Sequence, residues 1–142
     1  MHKLSSAIYV LENARALGVE VILLPESTSH NLIKEVFEKF KPWKTTGHLQ
    51  LGGECAKIPT DEHEGTFTNH LREEKAYVFF EQNYINKNIV LCFSDVRKIS
   101  LVIKECPGME YFITNESLSY LVAVNWYTIE ISGGINLPSS KV

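Results

Sequence analysis

Residues Glu110–Gly133, EYFITNESLSYLVAVNWYTIEISG, decide the fold. Three β-branched and aromatic runs are separated by short polar breaks, the pattern of consecutive strands. Met109–Thr114 is the first strand, Asn115-Glu116-Ser117 the turn, and Leu118–Val124 and Trp126–Ser132 the last two, joined tightly around Asn125. Asparagine suits such a turn because it tolerates left-handed backbone.

Working towards the N-terminus, Ser94 to Cys106 has helical spacing. Val96, Ile99, Val102 and Ile103 form its inner face, Ser94 is its cap candidate, and Asp95 adds negative charge at the positive helix end. Pro107-Gly108 stops it. Before it, KAYVFFE (Lys75–Glu81) and NIVLCF (Asn88–Phe93) read as two strands of a hairpin with a loop longer than two residues. Ser29 to Lys41 is an amphipathic helix with Leu32, Ile33, Val36, Phe37 and Phe40 on one stripe, ended by Pro42. Val19–Leu24 (VEVILL) reads as a buried strand closed by Pro25. Leu4 to Leu17 is a helix with Leu4, Ala7, Ile8, Leu11, Ala14 and Leu17 on one face, capped by Ser5 or Ser6 and ended by Gly18. The sum is an α+β chain: a single domain with a mainly antiparallel sheet flanked by about three helices, with a frayed tail from about residue 135.

The 142 residues suit one domain, and 44% hydrophobic with 22% charged residues is ordinary globular composition. A net charge of −3 argues against direct nucleic-acid binding, which calls for a basic face. No apolar run approaches the ~20 residues that span a bilayer. The cysteines Cys55, Cys92 and Cys106 are odd in number and not closely paired, and no signal peptide is visible, so the expected compartment is the reducing cytoplasm.

Trp43 to His70 is the irregular segment, with Gly47, Gly52, Gly53, Pro59 and Gly65, and the expected elements in it are a short strand at His48–Leu51 and a short helix near Thr66 to Glu74. Long loops inside small domains often carry function. Cys55, after Gly52-Gly53-Glu54, is the best nucleophile candidate, with His63 or His70 as the activating base of a small hydrolase or transferase. No family-type Cys/His signature accompanies it, and the competing reading is a packed cysteine beside a glycine turn. His48, His63 and His70 lie near Asp61, Glu62 and Glu64, but Gly65 and Thr66 separate the last two histidines and no HExxH occurs. Zinc requires three or four convergent ligands with tight local spacing, so no metal is assigned. Gly52-Gly53 lacks the Lys-Ser/Thr of a phosphate loop, there is no dinucleotide fingerprint, and no cofactor is expected.

Two features point to binding instead. Asp61, Glu62 and Glu64 form an acidic cluster suited to meeting a basic partner, where charge complementarity speeds encounter. Trp126 and Tyr127 are adjacent on an expected strand, so one should enter the core and the other face outward as a hot-spot candidate.

The GGE element at Gly52 to Glu54 in a central loop, the closing strands EYFITNESLSYLVAVNWYTIEISG and the single α+β domain of this length together resemble small bacterial immunity proteins encoded beside polymorphic toxins. That resemblance implies a non-enzymatic protein that neutralises a toxin domain by direct stoichiometric binding, and the modest acidity of the chain fits a basic one. It transfers no catalytic residue. A third reading is a regulatory or scaffold domain that pairs with itself through a sheet edge as a homodimer.

Overall fold

Strands buried on both faces are continuously apolar, and two strands of the C-terminal run have this character. Tyr111–Asn115 and Tyr120–Val124 are buried at every position. The computed structural model describes residues 5–106 and 108–134. Among them lie seven strands: β1 (Val21–Leu23), β2 (Ala56–Pro59), β3 (Ala76–Phe80), β4 (Val90–Phe93), β5 (Tyr111–Asn115), β6 (Tyr120–Val124) and β7 (Thr128–Gly133). They form one sheet in the order β1-β4-β3-β5-β6-β7-β2, with every neighbouring pair antiparallel. The described residues also contain four α-helices, α1 (Ser6–Leu17), α2 (Glu26–Phe40), α3 (Thr60–His63) and α4 (Ile99–Ile103). The chain is thus α+β with an antiparallel sheet; the expected tail from about residue 135 lies outside the described residues.

Strand alternation sends side chains to two cores. On one face Val78, Phe80, Leu91, Ile113 and Val122 meet α1, through Val10 and Leu11, and α4, through Ile99 and Val102. On the other, Phe79, Val90, Phe112 and Leu121 meet α2, through Ile33 and Val36, and Leu49 and Leu51 of the irregular segment. Phe37 of α2 lies against both Phe79 and Phe112, at centroid separations of 5.9 and 5.7 Å. Full burial of a side chain such as Val36 contributes about 1.5–3 kcal/mol.

Several boundaries differ from the sequence expectation, each for a local reason. The strand expected over Val19–Leu24 shrinks to Val21–Leu23 and is not buried. It lies at the sheet edge with Ile22 55% and Leu23 51% exposed. Its first residue is taken by the end of α1, where Gly18 is left-handed (φ 72°) and the Val19 N–H donates to the Ala14 carbonyl. Helix α2 begins at Glu26, earlier than Ser29, because the Pro25 carbonyl accepts from the Ser29 N–H and starts the helical ladder. The helix after β4 opens with a 3₁₀ turn, Val96–Lys98, and its cap is Asp95, whose carboxylate accepts from the Arg97 N–H at 3.0 Å. The turn expected to be helical near Thr66 is 3₁₀, Phe67–His70.

The largest correction concerns the irregular segment. His48–Leu51 makes no strand; around it there is an isolated bridge between Lys44 and Gln50. The strand the irregular segment does supply is β2, which pairs with β7 from Ala56↔Ile131 to Pro59↔Thr128.

Candidate protein-binding surface

Asn125 builds the turn between β6 and β7. Its side-chain carbonyl accepts from the N–H groups of Tyr127 and Thr128, each at 2.8 Å, and its own N–H donates to the Thr128 carbonyl at 3.0 Å. Its side-chain amide donates to the Leu49 carbonyl at 2.9 Å, so the same residue fastens the irregular segment to the sheet. An Asn side chain closing its own turn takes Trp126 and Tyr127 out of the strand. Both therefore face outward, 57% and 67% exposed, and neither enters the core as strand alternation had predicted. The indole N–H of Trp126 donates to the Gly108 carbonyl at 2.9 Å, which fixes that ring while leaving it exposed.

His48 stands between the two rings. Its imidazole meets Trp126 edge-on at 5.3 Å and Tyr127 at 5.2 Å, separations in the range of favourable aromatic pairs. Its Nδ1 lies 2.7 Å from Glu110 Oε2. A carboxylate only accepts, so the proton of that bond belongs to Nδ1. The other Glu110 oxygen accepts from the Leu49 N–H at 2.9 Å.

The neighbouring carboxylate, Glu130, is buried in β7 and accepts from the Leu51 N–H at 2.9 Å and the Thr128 hydroxyl at 3.1 Å. These two glutamates, one before β5 and one in β7, hold the irregular segment where a ladder would otherwise be needed. At Gly52 (φ +75°) the same segment passes so near Trp43 that an added Cβ would lie 2.8 Å from the Trp43 Cβ, so this position demands glycine twice over.

Helix α3 is tied to the aromatic turn at its first residue. The Thr60 hydroxyl donates to the Asn125 carbonyl at 2.8 Å, and the Thr60 N–H donates to the Tyr127 carbonyl at 3.1 Å. Asp61 and Glu62 follow directly and are exposed. The structure thus brings four of the five sequence-expected partner residues, Asp61, Glu62, Trp126 and Tyr127, onto one end of the molecule. The fifth, Glu64, is turned inward and accepts from the Tyr111 hydroxyl at 3.2 Å. Burial pushes its carboxyl above the usual range, while the Tyr111 bond opposes this in part. Tyr111 itself is wholly buried and held well above the ordinary tyrosine value by that burial and by the Glu64 charge.

Cys55 is half-buried, and its hydrogen-bond partner among the described residues is Glu130, at 3.8 Å from its sulfur. Burial first, and the Glu130 charge second, push the thiol above its usual value. A general base that activates a cysteine should do the opposite. His63 lies in α3, and His70 is exposed at the end of the 3₁₀ turn. Among the described residues, no group of three or more His, Cys, Asp and Glu side chains is placed to hold a metal ion. No helix among them is long and apolar enough to cross a membrane.

His48, Glu110, Asn125 and Glu130 were not singled out as the builders of this surface by sequence reasoning. The available signal was Glu130: a carboxylate between Ile129 and Ile131 in an expected strand, which requires buried donors if that face is covered. No protein-family model matches the chain, and neither the curated proteins nor the solved structures yield a match.

Proposed function

We propose that this chain is a bacterial immunity protein, a cytoplasmic, non-enzymatic binder that neutralises a toxin domain by direct stoichiometric contact. The observation that carries the reading is the exposed pair Trp126 and Tyr127, held by the Asn125 turn and by His48, beside the exposed carboxylates Asp61 and Glu62. Aromatic anchors fixed before binding lose little conformational freedom on association, which favours affinity. Acidic side chains at the rim favour a basic partner and act mainly on the association rate. A stable complex of this kind buries about 1,200–2,000 Å² in total around a few such anchors. The thiol chemistry of a Cys55 hydrolase has no comparable support, because the group beside the sulfur is a carboxylate.

The test pairs the chain with the toxin domain encoded beside its gene. Co-expression should protect the host, and the two chains should co-purify one to one. Trp126→Ala with Tyr127→Ala should raise the dissociation rate at least a hundredfold, since hot-spot truncations cost about 2–4 kcal/mol each. Asp61→Lys with Glu62→Lys should slow association and reverse its salt dependence. A folded aromatic double variant that still protected and bound like the wild type would refute this surface as the interface.

A further inference from the structure

On the sheet face that α1 and α4 cover, the 3₁₀ turn Phe67–His70 and the start of α4 are clasped together by two side chains. The Thr68 N–H donates to the Ser100 hydroxyl at 3.3 Å, and the Ser100 N–H donates to the Thr68 hydroxyl at 3.0 Å. That hydroxyl in turn donates to the Arg97 carbonyl at 3.3 Å. Thr68 and Ser100 are wholly buried, so the clasp is internal and fixes the two segments against each other. Beside it lies a groove of about 370 Å³, with Gly65, Thr66 and Asn69 on one wall and Lys98, Leu101 and Lys104 on the other. Arg97 also lines it; Arg97, Leu101 and Lys104 are four and three residues apart, the spacing of one helical stripe. The Lys104 stem passes over Gly65, where an added Cβ would lie 3.8 Å from the Lys104 Cδ.

The lining decides the chemistry of a ligand. Three cations line the groove and no carboxylate is among the lining residues. Arg97 contributes least, because Asp95 at 2.8 Å and Glu73 at 3.2 Å match its charge. Lys98 and Lys104 are exposed and form no ion pair among the described residues, so they are surplus positive charge on a chain of net charge −3. Thr66 and Asn69 are exposed too, and among the described residues their backbone groups are bonded but their side chains are not. A hydroxyl and an amide donor are therefore open to the groove. Two unmatched ammonium groups and two neutral donors suit a compact anion with several acceptor oxygens. A phosphate monoester carries about −1.5 to −2 charge at neutral pH and three such oxygens. A carboxylate carries a single charge and would leave one ammonium unmatched. Nucleic acid calls for a basic face much larger than one groove. The volume lies within the usual range for small-molecule sites, about 300–1,000 Å³.

We propose that this groove binds a small phosphate-bearing ligand, with Lys98 and Lys104 matching its charge and the Thr66 hydroxyl and Asn69 amide donating to its oxygens. The walls are clasped before binding, so little beyond the two lysine side chains must be ordered. None of the residues assigned to the toxin surface takes part, so this site and that reading fail separately.

The experiment is an amide-resolved NMR titration of the full chain at low salt. The probes are inorganic phosphate and glycerol 3-phosphate, with acetate, ethylammonium and a short oligothymidylate as controls. Both phosphate probes should shift the Thr66, Asn69 and Lys98 amides saturably at millimolar concentration. Tighter binding of glycerol 3-phosphate assigns the groove to organic monoesters, and equal binding assigns it to free phosphate. Lys98→Ala with Lys104→Ala changes only exposed side chains, should fold normally, and should weaken binding about tenfold. Thr66→Val should weaken it about threefold. Lys34→Ala with Lys87→Ala, exposed lysines outside the groove, and Trp126→Ala should leave it unchanged. The proposal is overturned if neither phosphate probe saturates by about 50 mM, well above the millimolar range of weak sites. It is equally overturned if acetate or the oligothymidylate binds more tightly than phosphate, or if the two lysine double variants weaken binding alike.

Discussion

Replacing Glu130 separates its two roles, as the anchor of the irregular segment and as the neighbour of Cys55. Glu130→Ala removes the acceptor of the Leu51 N–H and of the Thr128 hydroxyl, bonds of 2.9 and 3.1 Å. A buried N–H left without a partner costs about 1–3 kcal/mol, and the lost side-chain methylenes add about 0.8 kcal/mol each where buried. Release of the buried carboxylate offsets part of this. The net expectation is a loss of about 2–4 kcal/mol, a large share of the 5–15 kcal/mol typical of a domain. Glu130→Gln keeps a carbonyl acceptor for Leu51 and should lose only about 1 kcal/mol. In urea, with a slope of roughly 1–3 kcal/mol per molar, the alanine variant should unfold about 1–2 M earlier than the wild type and the glutamine variant less than 1 M earlier. The second readout is alkylation of Cys55 at pH 8. The wild-type thiol should react more slowly than a free one, because burial and the Glu130 charge disfavour the thiolate. Glu130→Gln removes the charge and leaves the burial, so alkylation should speed up without reaching the free rate. The reasoning is refuted if the alanine variant unfolds within 0.3 M of the glutamine variant. It is equally refuted if glutamine leaves the Cys55 rate unchanged.

Two other predictions rest on single side chains. Asn125→Ala removes the acceptor of two turn N–H groups and the bond to Leu49, and should cost about 2–3 kcal/mol by urea unfolding; Asn125→Asp keeps the acceptor but sets a carboxylate oxygen against the buried Leu49 carbonyl, and should recover less than half of that. Asp95→Ala should cost about 1 kcal/mol at pH 7 by thermal unfolding, the usual value of a lost cap. Bonding to the Arg97 side chain, more than any other contact, holds the Asp95 carboxyl below the usual aspartate range. Its contribution is therefore full above about pH 4, where the unfolded chain is ionised too, and is lost as the pH falls through the lower folded value. The gap between wild type and Asp95→Ala should narrow below pH 4, and a gap that widened there would contradict the assignment.

Much of the sheet was legible because its strands are buried by their own composition. Val78, Phe79 and Phe80, like Phe112 and Ile113, stay apolar on both faces, and the structure covers both. Helix α1 was legible from its 3.6-residue spacing and from Gly18. What escaped the sequence depends on partners far along the chain. AKIP, with a lysine and a proline, has weak strand propensity and becomes β2 only because β7 offers it a free edge. HLQL has better alternation and is no strand, because the N–H groups of Leu49 and Leu51 are taken by Glu110 and Glu130, 61 and 79 residues away.

The surface shows the same division between local and distant causes. Asp61, Glu62 and Glu64 are one acidic cluster in sequence, and α3 splits it. Thr60 is pinned to the Asn125 turn, which leaves Asp61 and Glu62 outward and brings Glu64 round to the buried Tyr111 hydroxyl. Trp126 and Tyr127 went wrong for a related reason. Opposite facing holds for consecutive strand residues, and the Asn125 carbonyl ends the strand before them by capturing the next two N–H groups. One buried asparagine thus exposes both rings, while its amide, bonded to Leu49, sets the loop that carries His48 against them. Substituting Asn125 should therefore disturb the aromatic surface and the irregular segment together, whereas Trp126→Ala should disturb the surface alone.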